Sequence, residues 1–301
     1  MKDTILVTGG TGFIGSHLIN TLIDEGYKVH IIGRTDKQIK DTKHFKWDIK
    51  HKKIDPKCIK GVSTIIHLAG AGIADKRWTK TRKQEITASR TEPINLIYEL
   101  LKQEKHQVKR VIAASAAGYY SDRGDEILDE SAFPNNDFLG KCCSLWENAV
   151  DAGKAIGLQT VKLRTGIVLD KNKGALAKMA VPFKFGMGSV LGNGKQWMSW
   201  IHIKDLVNMY LFFIKNELLE GVYNASAPYP VTNKYFSKVL AKQLCKPLWL
   251  PSIPPYILKL ALGEMSIILL SSTRMNAEKI MEIGFNFEFP HLDTALRDIY
   301  K

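Results

Sequence analysis

The stretch "ILVTGGTGFIGSHL", residues 5–18, constrains this chain more than any other. An aliphatic run ends at Gly9, Gly12 and Gly15 follow at three-residue spacing, and an apolar stripe of Ile14, Leu18 and Leu22, with Ile19 and Ile23 beside it, continues at helical spacing. A GxxGxxG segment between a strand and a helix is the local context of a dinucleotide-phosphate site. Gly9 permits the tight turn, Gly12 lets backbone approach the pyrophosphate, and Gly15 lets helix and strand pack closely. Gly10 and Thr11 complete the loop. Amides near Phe13 and Ile14 then face the anion, helped by the helix dipole.

The rest of the chain supplies the sheet such a loop needs. "TILVTG", "KVHIIG", "TIIHLAG", "KRVIAAS" and "LQTVKLR" are short, rich in Val, Ile and Leu, and bounded by Gly, Ser or charged residues, as buried parallel strands are. Strand, helix and strand in repetition predict an α/β fold, a Rossmann-type doubly wound parallel sheet with helices on both faces. After about residue 166 the rhythm changes. "GALAKMAVPFKFG" reads as a helix, "WMSWIHIKDLVNMYLFFIKN" as a strand or turn feeding a helix near Asp205, and "GVYNAS" as one more strand. From Pro228 onward, helical patterns and the proline-rich "KPLWLPSIPPY" dominate. The expected division is residues 1–166 with 198–225 as the dinucleotide-binding domain. Residues 167–197 with 226–301 form a smaller, mostly helical C-terminal or substrate domain.

The end of the second strand indicates which dinucleotide. A free ribose 2'-hydroxyl is usually met there by an acid, whereas a 2'-phosphate calls for a cation. The chain reads "HIIGRT": Arg34 is planar, always charged and suited to phosphate, with Thr35 as a second donor. NADP(H) is therefore expected over NAD(H). Asp48, after "HFKW", either accepts a hydrogen bond from the adenine amino group or caps a turn.

Composition excludes several classes. At 45% hydrophobic and 24% charged over 301 residues, the chain buries a large core. Its longest apolar candidate, "YILKLALGEMSIILL", is short and carries Lys259 and Glu264, so no membrane span is expected. With acidic and polar residues in place of an apolar stretch at the start, no signal peptide and a cytoplasmic protein are expected. Cys58, Cys142, Cys143 and Cys245 form no CxxC pair and no zinc spacing with His, so packing thiols and no metal are expected. The net charge of +13 is spread along the chain without interleaved aromatics, which speaks against nucleic acid.

"VTGGTGFIG", "IIHLAG", Ser115 in "AASAAGYY", Lys141, "KLRTGIVL" and "SWIHIKDL" occur in the order found in extended short-chain dehydrogenases, the family of nucleotide-sugar epimerases and dehydratases. "AGIADKRW", "SAAGYYSDRG" and "WMSWIHIKDL" resemble its epimerase-family-protein branch, which carries a C-terminal domain of unknown function. The resemblance covers nearly the whole chain. It implies that Leu68, Ala69 and Gly70 pass the adenosine side, that Lys141 binds the nicotinamide ribose, and that Ser115 polarises a substrate oxygen. Because relatives often pair two helices across an interface, a homodimer is also implied.

The chain departs from the family at Asp137, where Tyr-x-x-x-Lys has its tyrosine. A carboxylate beside a lysine is a weak base, and Asp137 and Lys141 read equally as a helix cap or an ordinary i, i+4 pair. Tyr120, ahead of its neighbour Tyr119, is an alternative proton donor, and His202 an acid or base near neutrality. Arg77, Trp78, Arg164, Lys178 and Gln196 flank strand ends or the cleft and are candidate substrate contacts. Two functions follow: an NADP(H)-dependent oxidoreductase or nucleotide-sugar epimerase/dehydratase-like enzyme with an atypical active site, acting on a small polar substrate such as a nucleotide sugar or carbonyl compound, or a catalytically inactive protein that binds or senses NADP(H).

Overall fold

The structure, a computed structural model, describes residues 3–34 and 39–301. Its centre is an eight-stranded sheet: β1 (Thr4–Thr8), β2 (Lys28–Gly33), β3 (Thr42–Asp48), β4 (Lys53–Ile54), β5 (Val62–His67), β6 (Arg110–Ala116), β7 (Gln159–Thr165) and β8 (Gly221–Ala225). The spatial order is β8-β7-β6-β5-β1-β2-β3-β4. All neighbours pair in parallel except β3 and β4. From β1 the chain builds outward to β2 and β3, then returns to add β5, β6 and β7 on the other side. The carboxyl ends of β1 and β5 thus flank the crevice where open sheets of this kind bind ligands.

Five strands match the apolar runs, and "GVYNAS" supplies β8 at the sheet edge. The strand β3, "TKHFKWD", lacks such a run because it lies toward the other edge, where only Trp47 of its seven residues is buried. Helices α1 (Phe13–Asp24) and α5 (Ile203–Lys215) cover one face through Leu18, Leu22, Leu206 and Phe213. On the other face, α2 (Lys80–Gln103) and α3 (Phe138–Asp151) pack Ile94, Ile97, Trp146 and Val150 against β5 and β6. Gly26 ends α1 in a Schellman turn, with the Tyr27 amide on Leu22 O at 2.9 Å and the Gly26 amide on Ile23 O at 2.8 Å.

A separate apolar cluster holds the C-terminal part. Leu176 and Phe183 of α4 (Gly174–Lys184), Phe236 and Leu240 of α6 (Asn233–Gln243), and Leu292 and Leu296 of the last helix, Leu292–Ile299, surround Trp200. The α5 helix begins at Ile203, two residues before Asp205, because His202 caps it. At the opposite end of α5, the buried Arg110 side chain donates to Phe213 O at 2.6 Å, Asn216 O at 3.3 Å and Leu219 O at 2.8 Å. It thereby satisfies carbonyls that the helix terminus and following turn leave open. Among the described residues no helix is long and apolar enough to cross a membrane.

Candidate functional site

The glycine loop is built from contacts that leave no room for side chains. Gly9 has φ +69°, and a Cβ there would lie 2.8 Å from the Leu68 carbonyl carbon. At Gly15, an added Cβ would sit 2.4 Å from Gly9 O, because α1 starts directly against the turn. The Gly12 amide closes that turn on Gly9 O at 2.9 Å. Such a cradle fits a diphosphate: α1 has no side-chain cap, so its first amides remain available to an anion.

Thr8 and His67 join the two strand ends beneath this loop. The Thr8 hydroxyl oxygen accepts the Leu68 and Ala69 amides at 3.2 and 3.1 Å and lies 2.9 Å from His67 Nδ1. With two donors already on its oxygen, Thr8 donates its proton to Nδ1, so Nε2 carries the ring proton and donates to Arg90 O at 2.9 Å. Burial pushes the His67 pKa down to about 4, which keeps it in this neutral tautomer.

Gly9, Gly10, Thr11, Gly12, Arg34, Asp48, Leu68, Ala69 and Gly70 all line one groove of about 1190 Å³ between the sheet edge and α2. Arg34 stands exposed just beyond β2. Thr35 lies outside the described residues. Both Asp48 oxygens engage His51, one at its amide (3.1 Å) and one at Nδ1 (2.7 Å). The side-chain hydrogen bond from His51 lowers the Asp48 pKa, and the carboxylate serves as a turn cap. Phe13, Ile14 and Gly15 sit in the first turn of α1, where Phe13 packs against the Gly174 backbone.

The start of α3 differs from the expected pair. Asp137 caps α3, accepting the Gly140 amide at 2.8 Å and the Ser121 hydroxyl. Lys141 is exposed and off the buried stripe of Leu139, Cys142, Cys143, Trp146, Glu147 and Val150. The i, i+4 pair that faces the turn after β6 is Leu139 and Cys143. A Cβ on Gly118 would lie 3.4 Å from Leu139 Cβ and 3.6 Å from Cys143 Sγ. Asp137 and Lys141, which the family resemblance placed in the tyrosine and lysine positions, each lie two residues before this pair, a rotation of about 200° around the helix.

Ser115 does lie at the carboxyl end of β6, but it is buried and its hydroxyl donates to Glu147 Oε1 at 2.7 Å. Arg164 holds the same carboxylate from Nε at 2.8 Å and Nη2 at 2.9 Å. Its Nη1 donates to the Tyr120 hydroxyl at 2.9 Å. Tyr120 is wholly buried, with Asp129 O and Asn224 Oδ1 also on its hydroxyl at 2.9 and 2.8 Å. Burial raises its pKa, and the phenol has no access to the groove. Tyr119 is the partly exposed member of the pair, with the Arg164 guanidinium 3.4 Å from its ring centre.

The remaining candidates all have partners within the protein. Arg77 packs against the Gly263 backbone. Trp78 is buried, its indole N–H on Ile73 O at 2.8 Å and its ring edge-on to Phe138 at 4.9 Å. Lys178 pairs with Asp75 at 3.7 Å on the surface. Gln196 donates to Leu191 O at 3.0 Å and Leu269 O at 3.3 Å. His202 caps α5 through Nδ1 and lies 4.0 Å from the Phe289 ring, and burial pushes its pKa down to about 4. Among the described residues no group of His, Cys, Asp and Glu is placed to hold a metal. Sequence reading missed Glu147, although a carboxylate on the apolar stripe of α3 was a signal for a buried cationic partner.

Comparison with known proteins agrees with this architecture. The model of the NAD dependent epimerase/dehydratase family matches residues 5–226, and that of a domain of unknown function, DUF1731, matches residues 253–299. Epimerase family protein YfhF of Bacillus subtilis (strain 168) is 35% identical over 298 residues, covering 98% of this chain and 97% of the relative. The crystal structure of human epimerase family protein SDR39U1 (isoform2) with NADPH superposes with a TM-score of 0.88 at 27% identity, over 99% of both chains. A nucleoside-diphosphate sugar epimerase from Corynebacterium glutamicum gives a TM-score of 0.80 at 28% identity, over 99% of this chain and 58% of that one.

Proposed function

The chain belongs to the NAD-dependent epimerase/dehydratase family of extended short-chain dehydrogenases, and on that premise we propose that it binds NADP(H) in the groove and acts as an oxidoreductase or epimerase on a small polar substrate. The observation that carries the cofactor reading is Arg34, a cation at the carboxyl end of β2 lining the same groove as the glycine loop. A guanidinium there complements a ribose 2'-phosphate through paired charge-assisted bonds. The human relative solved with NADPH supports the same choice.

In this reading, Gly9, Gly12 and the first amides of α1 hold the diphosphate, Arg34 holds the 2'-phosphate, and Leu68 to Gly70 bound the adenosine side. When bound, the cofactor supplies hydride transfer at its nicotinamide. The chain's own part is to orient the substrate, a carbonyl compound or nucleotide sugar, between residues 1–166 with 198–225 and residues 167–197 with 226–301. The arrangement of Leu139 and Cys143 favours a second reading, an NADP(H)-binding protein without turnover. Neither residue can exchange a proton with an alcohol as a lysine-activated phenol does, since burial raises the Cys143 pKa.

Calorimetric titration with NADPH and NADH, repeated on Arg34→Ala, tests the cofactor reading. The wild type should prefer NADPH, and the variant should lose that preference while keeping its affinity for NADH. No preference in the wild type, or no binding of either, overturns it. Loss of nicotinamide absorbance with a panel of carbonyl compounds, together with analysis of sugar products, separates the enzyme from the silent binder.

A further inference from the structure

The loop between the short strand Ile167–Leu169 and α4 is fastened to the phosphate-binding helix by three separate contacts. The Asp170 carboxylate accepts the Asn172 and Lys173 amides at 2.8 and 2.9 Å, which folds the loop back on itself. Its other oxygen lies 3.3 Å from His17 Nε2, on the second turn of α1. Gly174, with φ +76°, lies against Phe13 so closely that a Cβ would be 2.6 Å from the ring. The third contact is polar: Lys173 Nζ lies 3.5 Å from the Ser16 hydroxyl.

Ser16 follows Gly12 by four residues, and its amide bonds Gly12 O at 3.0 Å, so the two share one side of the helix a turn apart. Lys173 Nζ thus contacts Ser16, and Ser16 lies one helical turn, about 5.4 Å along the axis, from Gly12 of the glycine loop. Among the described residues no carboxylate lies within ion-pair distance of it, and the nearby Asp170 is already engaged by two amides and His17. A lysine stem is long enough to swing that distance, and its ammonium has three donors to give.

We infer that Lys173 is a further cofactor-binding residue, a cation brought by the 170–174 loop to the pyrophosphate side of the site. The inference rests on the dinucleotide-binding reading above. Its division of labour differs from that of Arg34: Lys173 meets a group common to NADPH and NADH, and Arg34 meets a group that only NADPH carries. Lys173 also opens α4, so its engagement ties the C-terminal part of the molecule to cofactor occupancy.

The test is calorimetric titration of the intact chain and of Lys173→Ala and Lys173→Arg with NADPH and with NADH. Lys173 is exposed, and a thermal melt checks that the variants fold. Lys173→Ala should weaken both dinucleotides by the same factor, about tenfold at low ionic strength, as loss of one charge-assisted contact does. The factor should shrink in high salt, and Lys173→Arg should retain most of the affinity. If the wild type binds but Lys173→Ala binds both dinucleotides equally well, the inference fails and the cofactor reading stands. A loss confined to NADPH also overturns it, since Lys173 would then be reading the 2'-phosphate. A wild type that binds neither dinucleotide takes down the cofactor reading itself.

Discussion

Arg164 grips Glu147 through both carboxylate oxygens, at 2.8 and 2.9 Å, in the interior between β7 and α3. The Ser115 hydroxyl completes the carboxylate's shell, and Tyr120 and Glu130 O take up the remaining guanidinium nitrogen. A buried pair with this geometry offsets its desolvation only while both members remain. Removing the acid in Glu147→Ala should therefore destabilise the protein by about 3–5 kcal/mol, measured by urea unfolding. An unchanged midpoint would show that the guanidinium finds water instead.

Asp137 and Lys141, four residues apart, should respond to alanine quite differently. Asp137→Ala removes the α3 cap and should cost about 1 kcal/mol. Lys141→Ala, at an exposed site off the buried stripe, should stay within about 0.5 kcal/mol and leave NADPH affinity unaltered. A large affinity loss in Lys141→Ala would restore the nicotinamide-ribose role that the family resemblance implies.

Gly15→Ala places a methyl group against backbone rather than a yielding side chain, 2.4 Å from Gly9 O and 2.7 Å from Gly10 Cα. Overpacking of this kind costs about 1–3 kcal/mol and must shift the turn. The expected result is a lowered melting temperature together with loss of NADPH binding. A variant that binds normally would mean that the loop is not the diphosphate cradle.

The neutral His67 makes stability depend on pH. Its folded pKa, pushed down to about 4 by burial, lies below the ordinary 6.5, so the unfolded chain takes up the extra proton first. The contribution is full above pH 6.5 and lost as pH falls through the window toward 4, at about 1.4 kcal/mol per pH unit at most. His202 acts in the same sense over the same window. Asp205, raised to about 6 by burial, acts in the opposite sense, its contribution being present below the ordinary carboxylate value and lost as pH rises to 6. Urea unfolding from pH 7.5 to 4.5 should show a shallower slope in His67→Gln than in wild type.

What the sequence determined by itself is local. The glycine spacing, the strand before it and the stripe after it lie within residues 5–23, so nearest-neighbour sterics suffice to specify the turn, the helix and the open amides. Repetition of the same pattern specified the doubly wound sheet, and the residue following β2 placed a cation by the groove. Even the phase of α3 was written in its stripe, because Leu139, Cys143, Trp146 and Val150 repeat at helical spacing while Lys141 does not.

Tertiary structure alone decided what each buried polar group meets. Glu147 and Arg164 are 17 residues apart, Arg110 reaches carbonyls more than 100 residues away, and Lys173 meets Ser16 across 157 residues. Such partners are chosen by which strands become neighbours and how the helices rotate against them, a result of close packing over the whole core. No local propensity encodes it. The same packing buried the Tyr120 and Ser115 hydroxyls, since burying a hydroxyl is tolerated only where a partner already waits.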